Sequence, residues 1–501
     1  LTCAKSEDSL RFQIVSHAGL SVTSADATLL FDPWLIGSCY WRSWWNYPPV
    51  DRALISTLRP DYIYLTHIHW DHFQGPSLRL FPKGIPIIVP KGHHDRIKRD
   101  LEAMGFWNVK ELRHGETIRL GKDFRLTSYS LMPNLDSAAI CEVEGVTLLN
   151  ANDAKFMGGP LEEILSNHSN IDFVFRSHSS ANGRLCYEVV DEPLAKVDDD
   201  ASYASSFIAF ARATGARFAI PFASNHCFLH KDVYALNSTI TTPLEVEEHY
   251  LEAQRRLGAS ASFPEIKIMV SGDSWSTDSG FEISPETRNW FVERDFRLAE
   301  YLAREQSTLD RFYEKENNSR LSSAQIEKYF KALRRAVPAP VRMLFRNTPL
   351  TLCLSAGSRV ERFQVDIYRG TVSTIDAEHA SEEPFEIHTT QFIFKQCMAL
   401  DLFSHLPISK RVHYRVSRRT RKLMQLLNGI WILYETDLLP GRHVMPRRIF
   451  ETWCLRWREL ALYAQIGKDL LLGRGFNQQS YLSPREPLPT NLPTWDRANA
   501  K

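Results

Sequence analysis

The sequence predicts an α/β protein: a two-sheet sandwich flanked by helices, followed by a second, smaller unit of mixed helix and strand. Three observations carry this expectation. At 501 residues the chain exceeds the roughly 250 to 300 at which one hydrophobic core stops growing, so two domains are expected. Strand-like and helical segments alternate through the first 285 residues in the order sheet, helix, sheet, helix. The turn Pro338-Ala339-Pro340 then separates this part and a charged connector from a further set of strands and helices.

Taken in order, 10–31 reads as a strand meander, because 11–15 and 27–31 alternate in polarity around the turn Ser24-Ala25-Asp26. The apolar run Tyr62-Ile63-Tyr64-Leu65 leads into a His-rich stretch, and 85–89 is a second short strand before an amphipathic helix near 95–104. Strand pairs follow at 116–131 and 138–149, around Gly121-Lys122 and Glu144-Gly145, while 204–214 and 244–257 have helical periodicity. These elements define an expected catalytic domain at 1–285, then a charged helical connector at 286–337. An α+β domain for substrate or partner binding is expected at 338–476, with strands at 350–354, 362–367 and 385–387 and helices at 390–405, 423–433 and 448–472. Residues 477–501, rich in proline, read as an extended tail.

Composition narrows the function classes. Lys plus Arg total 60 against 59 Asp plus Glu, a net charge of +1, which gives no global field to gather nucleic acid. No stretch approaches the roughly 20 apolar residues of a transmembrane segment. The eight cysteines are scattered without a C-x-x-C pair, which argues against a disulfide framework or a zinc ribbon and for reduced thiols. With no basic and apolar leader visible after Leu1, a cytoplasmic protein is expected. The oligomeric state stays open.

The chemistry is concentrated in Thr66-His67-Ile68-His69-Trp70-Asp71-His72, directly after an apolar strand. Four ligand-type side chains on one tight loop can serve two adjacent ion positions, and imidazole plus carboxylate suits zinc or iron. This H-x-H-x-D-H run resembles the metal-binding signature of the metallo-β-lactamase superfamily, and Phe31-Asp32-Pro33-Trp34 is similar to the D-P-W turn of its lactonase-like and phospholipase-like branches. A closer resemblance, over about 10–290, is to the catalytic region of CMP-N-acetylneuraminate hydroxylase and its bacterial relatives. It rests on Pro33 to Gly37, Trp44-Trp45, Pro48-Pro49, the His-rich run, Pro221-Phe222-Ala223 with His230, and Asp273-Ser274-Trp275. The two-motif pattern of a Rieske domain, C-x-H then C-x-x-H, does not occur; Cys227 and His230 give its second half alone.

The resemblance implies an αββα fold with two divalent ions, zinc or iron. His67 and His69 would hold one and Asp71 with His72 the other. Asp153, after the strand 146–149, is the expected bridging carboxylate, and His230 or His226 would supply the last ligand, His226 otherwise acting beside the substrate. His178 ends another strand and could face the same pocket. The third histidine of the first ion is missing: Met132 occupies its slot, so Asp136 or Glu142 would have to substitute, an exchange that favours iron and oxygen activation.

Three functions remain. A hydrolase would use a metal-activated water, oriented by Asp71 or Asp153, on an ester, lactone, amide or phosphodiester; it is the commonest activity of the superfamily and is slightly preferred. A dinuclear-iron oxygenase would need an external electron-transfer partner. A non-catalytic metal- or lipid-binding protein is the third. The substrate would be a small molecule, free or carrier-bound. The aromatic loop 40–47 with Arg42 could contact it, and the basic stretch 410–422 could dock an anionic partner or stay solvated.

Overall fold

The computed structural model describes residues 9–131, 136–179, 183–192, 200–258, 262–376, 383–441, 447–472 and 478–482. Its first half is a sandwich of two mixed sheets. One has eight strands, in spatial order Gly280–Glu282, Ser274–Ser276, Arg11–Ile14, Leu20–Thr23, Thr28–Phe31, Tyr62–Tyr64, Ile87–Pro90 and Val109–Leu112. The other has seven: Glu265–Ile266, Phe218–Phe222, Phe173–Ser177, Val146–Asn152, Ser137–Val143, Phe124–Ser130 and Glu116–Gly121. The 10–31 meander is therefore three antiparallel strands, in register Phe12 with Val22 and Val22 with Leu29.

Alternation along these strands sends one set of side chains between the sheets, where Phe12, Leu29, Phe31 and Tyr64 meet Leu126, Cys141, Phe173 and Ile220. The opposite faces carry the helices. Arg96–Ala103 buries Ile97 and Leu101 against the first sheet. Gly158–Asn167, Asp200–Thr214 and Pro243–Leu257 cover the second, the last opened by a Thr242/Glu245 capping box. The layers are helix, sheet, sheet, helix, as the sequence predicts.

The charged segment after 285 forms the helices Glu286–Val292, Arg294–Asn317 and Ser323–Ala336. The third of these packs Ile326, Phe330 and Leu333 onto a separate six-stranded sheet in order Tyr187–Val189, His413–Val416, Phe385–Thr390, Leu350–Ala356, Arg359–Asp366 and Thr371–Ile375. One edge strand of this sheet, Tyr187–Val189, comes from the sandwich half and pairs in parallel with His413–Val416. In return, Trp457–Leu471 packs Leu462 back among the sandwich helices, joined there by Tyr481 and Leu482. The proline-rich part of the tail, 483–501, lies outside the described residues.

The 410–422 stretch is not one basic helix face. It contains the strand His413–Val416 and the start of the helix Arg418–Glu435, and its arginines have carboxylate partners: Arg411 with Glu316, Arg415 with Glu386, Arg418 and Arg421 with Glu192, Arg419 with Glu383. No described helix is long and apolar enough to cross a membrane. The described cysteines are all free thiols.

Candidate metal centre

The site is built outward from Asp32 and Thr66. The Thr66 backbone N–H donates to Asp32 Oδ1 at 2.8 Å and its hydroxyl to Asp32 Oδ2 at 2.7 Å. With that proton committed, Thr66 Oγ1 accepts from His67 Nδ1 at 3.0 Å, while Asp32 Oδ2 accepts from His72 Nδ1 at 2.8 Å. Both imidazoles are thus assigned as Nδ1–H tautomers, which leaves each Nε2 lone pair free. Asp32 sits at φ 40°, a left-handed conformation that costs a non-glycine residue about 1–3 kcal/mol, and these hydrogen bonds offset it. One helical turn follows, with the His72 and Phe73 N–H groups donating to the His69 carbonyl at 3.0 and 2.7 Å, so that His69, Asp71 and His72 leave a single turn of backbone.

Around this loop three overlapping groups bring ligand atoms within 4.8 Å of one another: His67, His69 and Asp136; His67, His72 and Asp153; His17, Asp71 and His72. Their shared members make one continuous cluster of seven residues. Asp153 Oδ2 lies 3.6 Å from His67 Nε2 and 3.8 Å from His72 Nε2, between the other two groups. It follows Asn152, which is held at φ 39° with its amide donating to the Ser137 carbonyl at 2.8 Å. Asp71 Oδ2 stands 3.2 Å from His17 Nε2 and 3.4 Å from His72 Nε2, and its Oδ1 accepts from the Tyr40 hydroxyl.

The donor set fits a pair of cations. His67 Nε2, His72 Nε2, both ring nitrogens of His17, and Oδ1 of Asp136 and of Asp153 are buried without a hydrogen-bond partner. Native interiors rarely leave so many polar atoms unsatisfied in one place unless something binds among them. Three carboxylates, Asp71, Asp136 and Asp153, also converge there. Burial and the neighbouring Asp153 charge push Asp136 up to about 6; burial would likewise raise Asp71, but His72 and His17 hold it well below the usual carboxylate range.

His17 was not legible in the sequence as a candidate ligand. It caps the hairpin between Arg11–Ile14 and Leu20–Thr23, its N–H donating to Asn46 Oδ1 at 2.9 Å, and no spacing links it to the His-rich run. The structure brings His67, His69, Asp71, His72, Asp136 and Asp153 together as expected from the sequence, but not His230. That side chain is engaged elsewhere: its Nε2 lies 3.3 Å from Glu316 Oε2, and Glu316 in turn accepts from Arg411 at 3.0 and 3.1 Å. His230 belongs to a buried ion-pair network between the helix Arg294–Asn317 and the C-terminal unit, and His17 stands where a last histidine was sought.

His178 and His226 lie on the His17 side without joining a ligand group. His226 stacks on Trp44 with centroids 3.7 Å apart, donates Nδ1–H to the Ser224 carbonyl at 3.1 Å, and faces His17 at 5.6 Å. His178 is fully buried, and burial together with the His17 charge pushes it down to about 3. Glu142 is far from the cluster, roughly 20 Å along the strand from Asp136; it faces Arg125 at 3.4 Å and His168 at 3.6 Å. Met132 lies outside the described residues.

The aromatic loop is packed rather than open to a substrate. Tyr40, Trp41, Trp44, Trp45 and Tyr47 are buried; Trp44 Nε1 donates to the Ile408 carbonyl at 3.1 Å, and the Trp41 carbonyl accepts from Arg411 at 3.1 Å. Its rings therefore form the seat of the C-terminal unit. That unit has a further cluster, Cys353, Glu386 and His388, on its own sheet.

No family model matches the chain. It is 31% identical over 160 residues to cytidine monophosphate-N-acetylneuraminic acid hydroxylase of Mus musculus, covering 30% of this chain and 27% of that protein. It is 26% identical over 249 residues to a Mycolicibacterium smegmatis protein named as a Rieske 2Fe-2S iron-sulfur protein, covering 46% and 47%. The chain thus spans about a quarter to a half of the length of these relatives. Among solved structures it is similar to the isothiocyanate hydrolase from Delia radicum gut bacteria, at 15% identity, 53% and 97% coverage and a TM-score of 0.37. It is also similar to CmlA, a diiron beta-hydroxylase from Streptomyces venezuelae, at 16% identity, 54% coverage of each chain and a TM-score of 0.36.

Proposed function

We propose that the chain is a dinuclear-metal enzyme of the metallo-β-lactamase fold and that its ions are iron, serving hydroxylation of a small molecule. The observation that carries this is Asp136 in the group with His67 and His69. With Asp153 shared, each ion would have two imidazoles and two carboxylates: His67, His69, Asp136 and Asp153 for one, His17, His72, Asp71 and Asp153 for the other. Two imidazoles with hard oxygen donors suit non-haem iron, whereas a third imidazole would suit zinc better. The partial likeness to the sialic acid hydroxylase supports the same reading.

A bound iron pair would supply redox chemistry toward dioxygen, with electrons from an external donor. The chain's own residues do the rest. Asp32 and Thr66 orient His72 and His67, Tyr40 fixes one oxygen of Asp71 so that the other faces the cluster, and the stacked Trp44 and His226 exclude water from the His17 side.

Metal analysis and the visible spectrum of protein purified without added metal test this. Two irons per chain with a charge-transfer band are expected. Stoichiometric zinc together with esterase or lactonase activity would replace the oxygenase by the hydrolase, which the same ligand cluster can also serve. The variant Asp136→His should shift the preference from iron toward zinc.

A further inference from the structure

Among the C-terminal side chains that approach the centre is His405. It opens the short helix His405–Ser409, more than 330 positions along the chain from the His-rich loop and beyond the 10–290 stretch that carries the resemblance. Its imidazole is fully buried, with ring centroids 5.4 Å from His69, 5.0 Å from Trp70 and 5.5 Å from Tyr40. His69 and Tyr40 both touch the cluster, the first as a ligand candidate and the second through Asp71. Yet His405 is in no ligand group, and its Nε2 is buried without a partner.

This placement is built rather than incidental. Ser404 Oγ lies 3.2 Å from His405 Nδ1, and the Ser404 N–H donates at 2.9 Å to Glu435, a buried carboxylate at the end of the helix Arg418–Glu435. On the far side of the turn, the Ile408 and Ser409 carbonyls accept from Trp44 Nε1 and Ser43 Oγ. Both ends of the segment are thereby pinned, one to the C-terminal core and the other to the aromatic loop. A polar atom held so firmly inside a core, and left unsatisfied, implies a partner that arrives with a ligand.

We infer that His405 is a ligand-contact residue that the C-terminal unit contributes to the His69 side of the metal centre. Ser404 Oγ holds Nδ1, so the free group is Nε2, which as the Nε2–H tautomer donates to an oxygen- or nitrogen-bearing anion bound at the ions. The C-terminal unit would then be part of the active site and not only a partner-binding appendage. This rests on the metal reading above.

The test is calorimetric titration of azide into the full-length holoprotein, which reads anion binding whichever metal is present, with metal content measured in parallel. His405→Phe keeps the buried ring and removes the donor, and His405→Gln restores one. The expected result is unchanged metal content in both, azide affinity about tenfold weaker in His405→Phe, and most of that loss recovered in His405→Gln. Equal azide affinity in wild type and His405→Phe overturns the proposal while leaving the metal centre intact. Loss of one ion in His405→Phe overturns it too, by making His405 a ligand. A wild type that binds neither metal nor azide defeats the metal reading itself, and the inference with it.

Discussion

Two histidine-bearing loops of this molecule look alike in sequence and differ in kind. The loop of His67, His69 and His72 holds two imidazoles by Nδ1 and leaves their Nε2 atoms buried and bare. The rings of the His226 and His230 loop are engaged elsewhere: His226 donates Nδ1–H to the Ser224 carbonyl and stacks on Trp44, and His230 faces Glu316 beside Arg411. Burial is similar in both. What marks the first loop is that its bare Nε2 atoms stand beside carboxylates in shared candidate ligand groups, whereas His230 already has a carboxylate partner, and both outcomes rest on residues distant in sequence.

Breaking the first loop should have the largest effect. His67→Ala removes a member of two ligand groups and is expected to abolish metal retention in the purified protein; full occupancy would refute the assignment. Asp32→Asn touches no ion and only weakens the hold on His72 and Thr66, so metal affinity should fall by about 10- to 100-fold in a competition titration with a chelator.

Breaking the second loop should leave the metal in place. Glu316→Ala removes the buried carboxylate partner of Arg411 and leaves it the half-exposed Asp232 at 3.1 Å, at a cost of about 1–3 kcal/mol in denaturant unfolding, with metal content at the wild-type level. If that variant instead lost metal without losing stability, the contrast between the loops would collapse.

The smallest expected effect sharpens the comparison through pH. Burial leaves His178 of the sandwich neutral, near 3, so the unfolded chain takes up a proton the folded chain refuses, and stability should fall as pH drops from about 6.5 toward 3. In the C-terminal sheet the sign is opposite. Burial opposes the charge on His388, but Cys353 and Glu386, the latter at 2.7 Å, raise it to about 9. Its contribution is complete below about 6.5 and is lost as pH rises toward 9. The unfolding midpoints of wild type and His388→Gln should therefore converge between those values; a gap that stays constant would dismiss the His388 contribution.

Local pattern made much of this readable. The His-rich run, the Asp32 turn and Asp153 are local motifs next to strands, and alternation along the strands revealed the two-sheet sandwich. What could not be read depends on long-range pairing. His17 is a single histidine at a hairpin tip, brought to Asp71 only when Leu20–Thr23, Thr28–Phe31 and Tyr62–Tyr64 pair side by side in one sheet. His405 arrives from another sheet system, and the aromatic loop looked like a substrate face because the turn that covers it lies some 365 residues away. Asp136 was one of two candidates, and only the register of Ser137–Val143, which carries Glu142 to the far end of the strand, distinguishes them.

The sharpest discrimination between the two loops is the metal count per chain in His17→Ala and His230→Ala. The structure predicts that the first variant retains about one ion of two and the second retains both, with His230→Ala losing only stability. Full retention in His17→Ala together with loss of an ion in His230→Ala would contradict it and return the last ligand to the loop where sequence pattern alone had placed it.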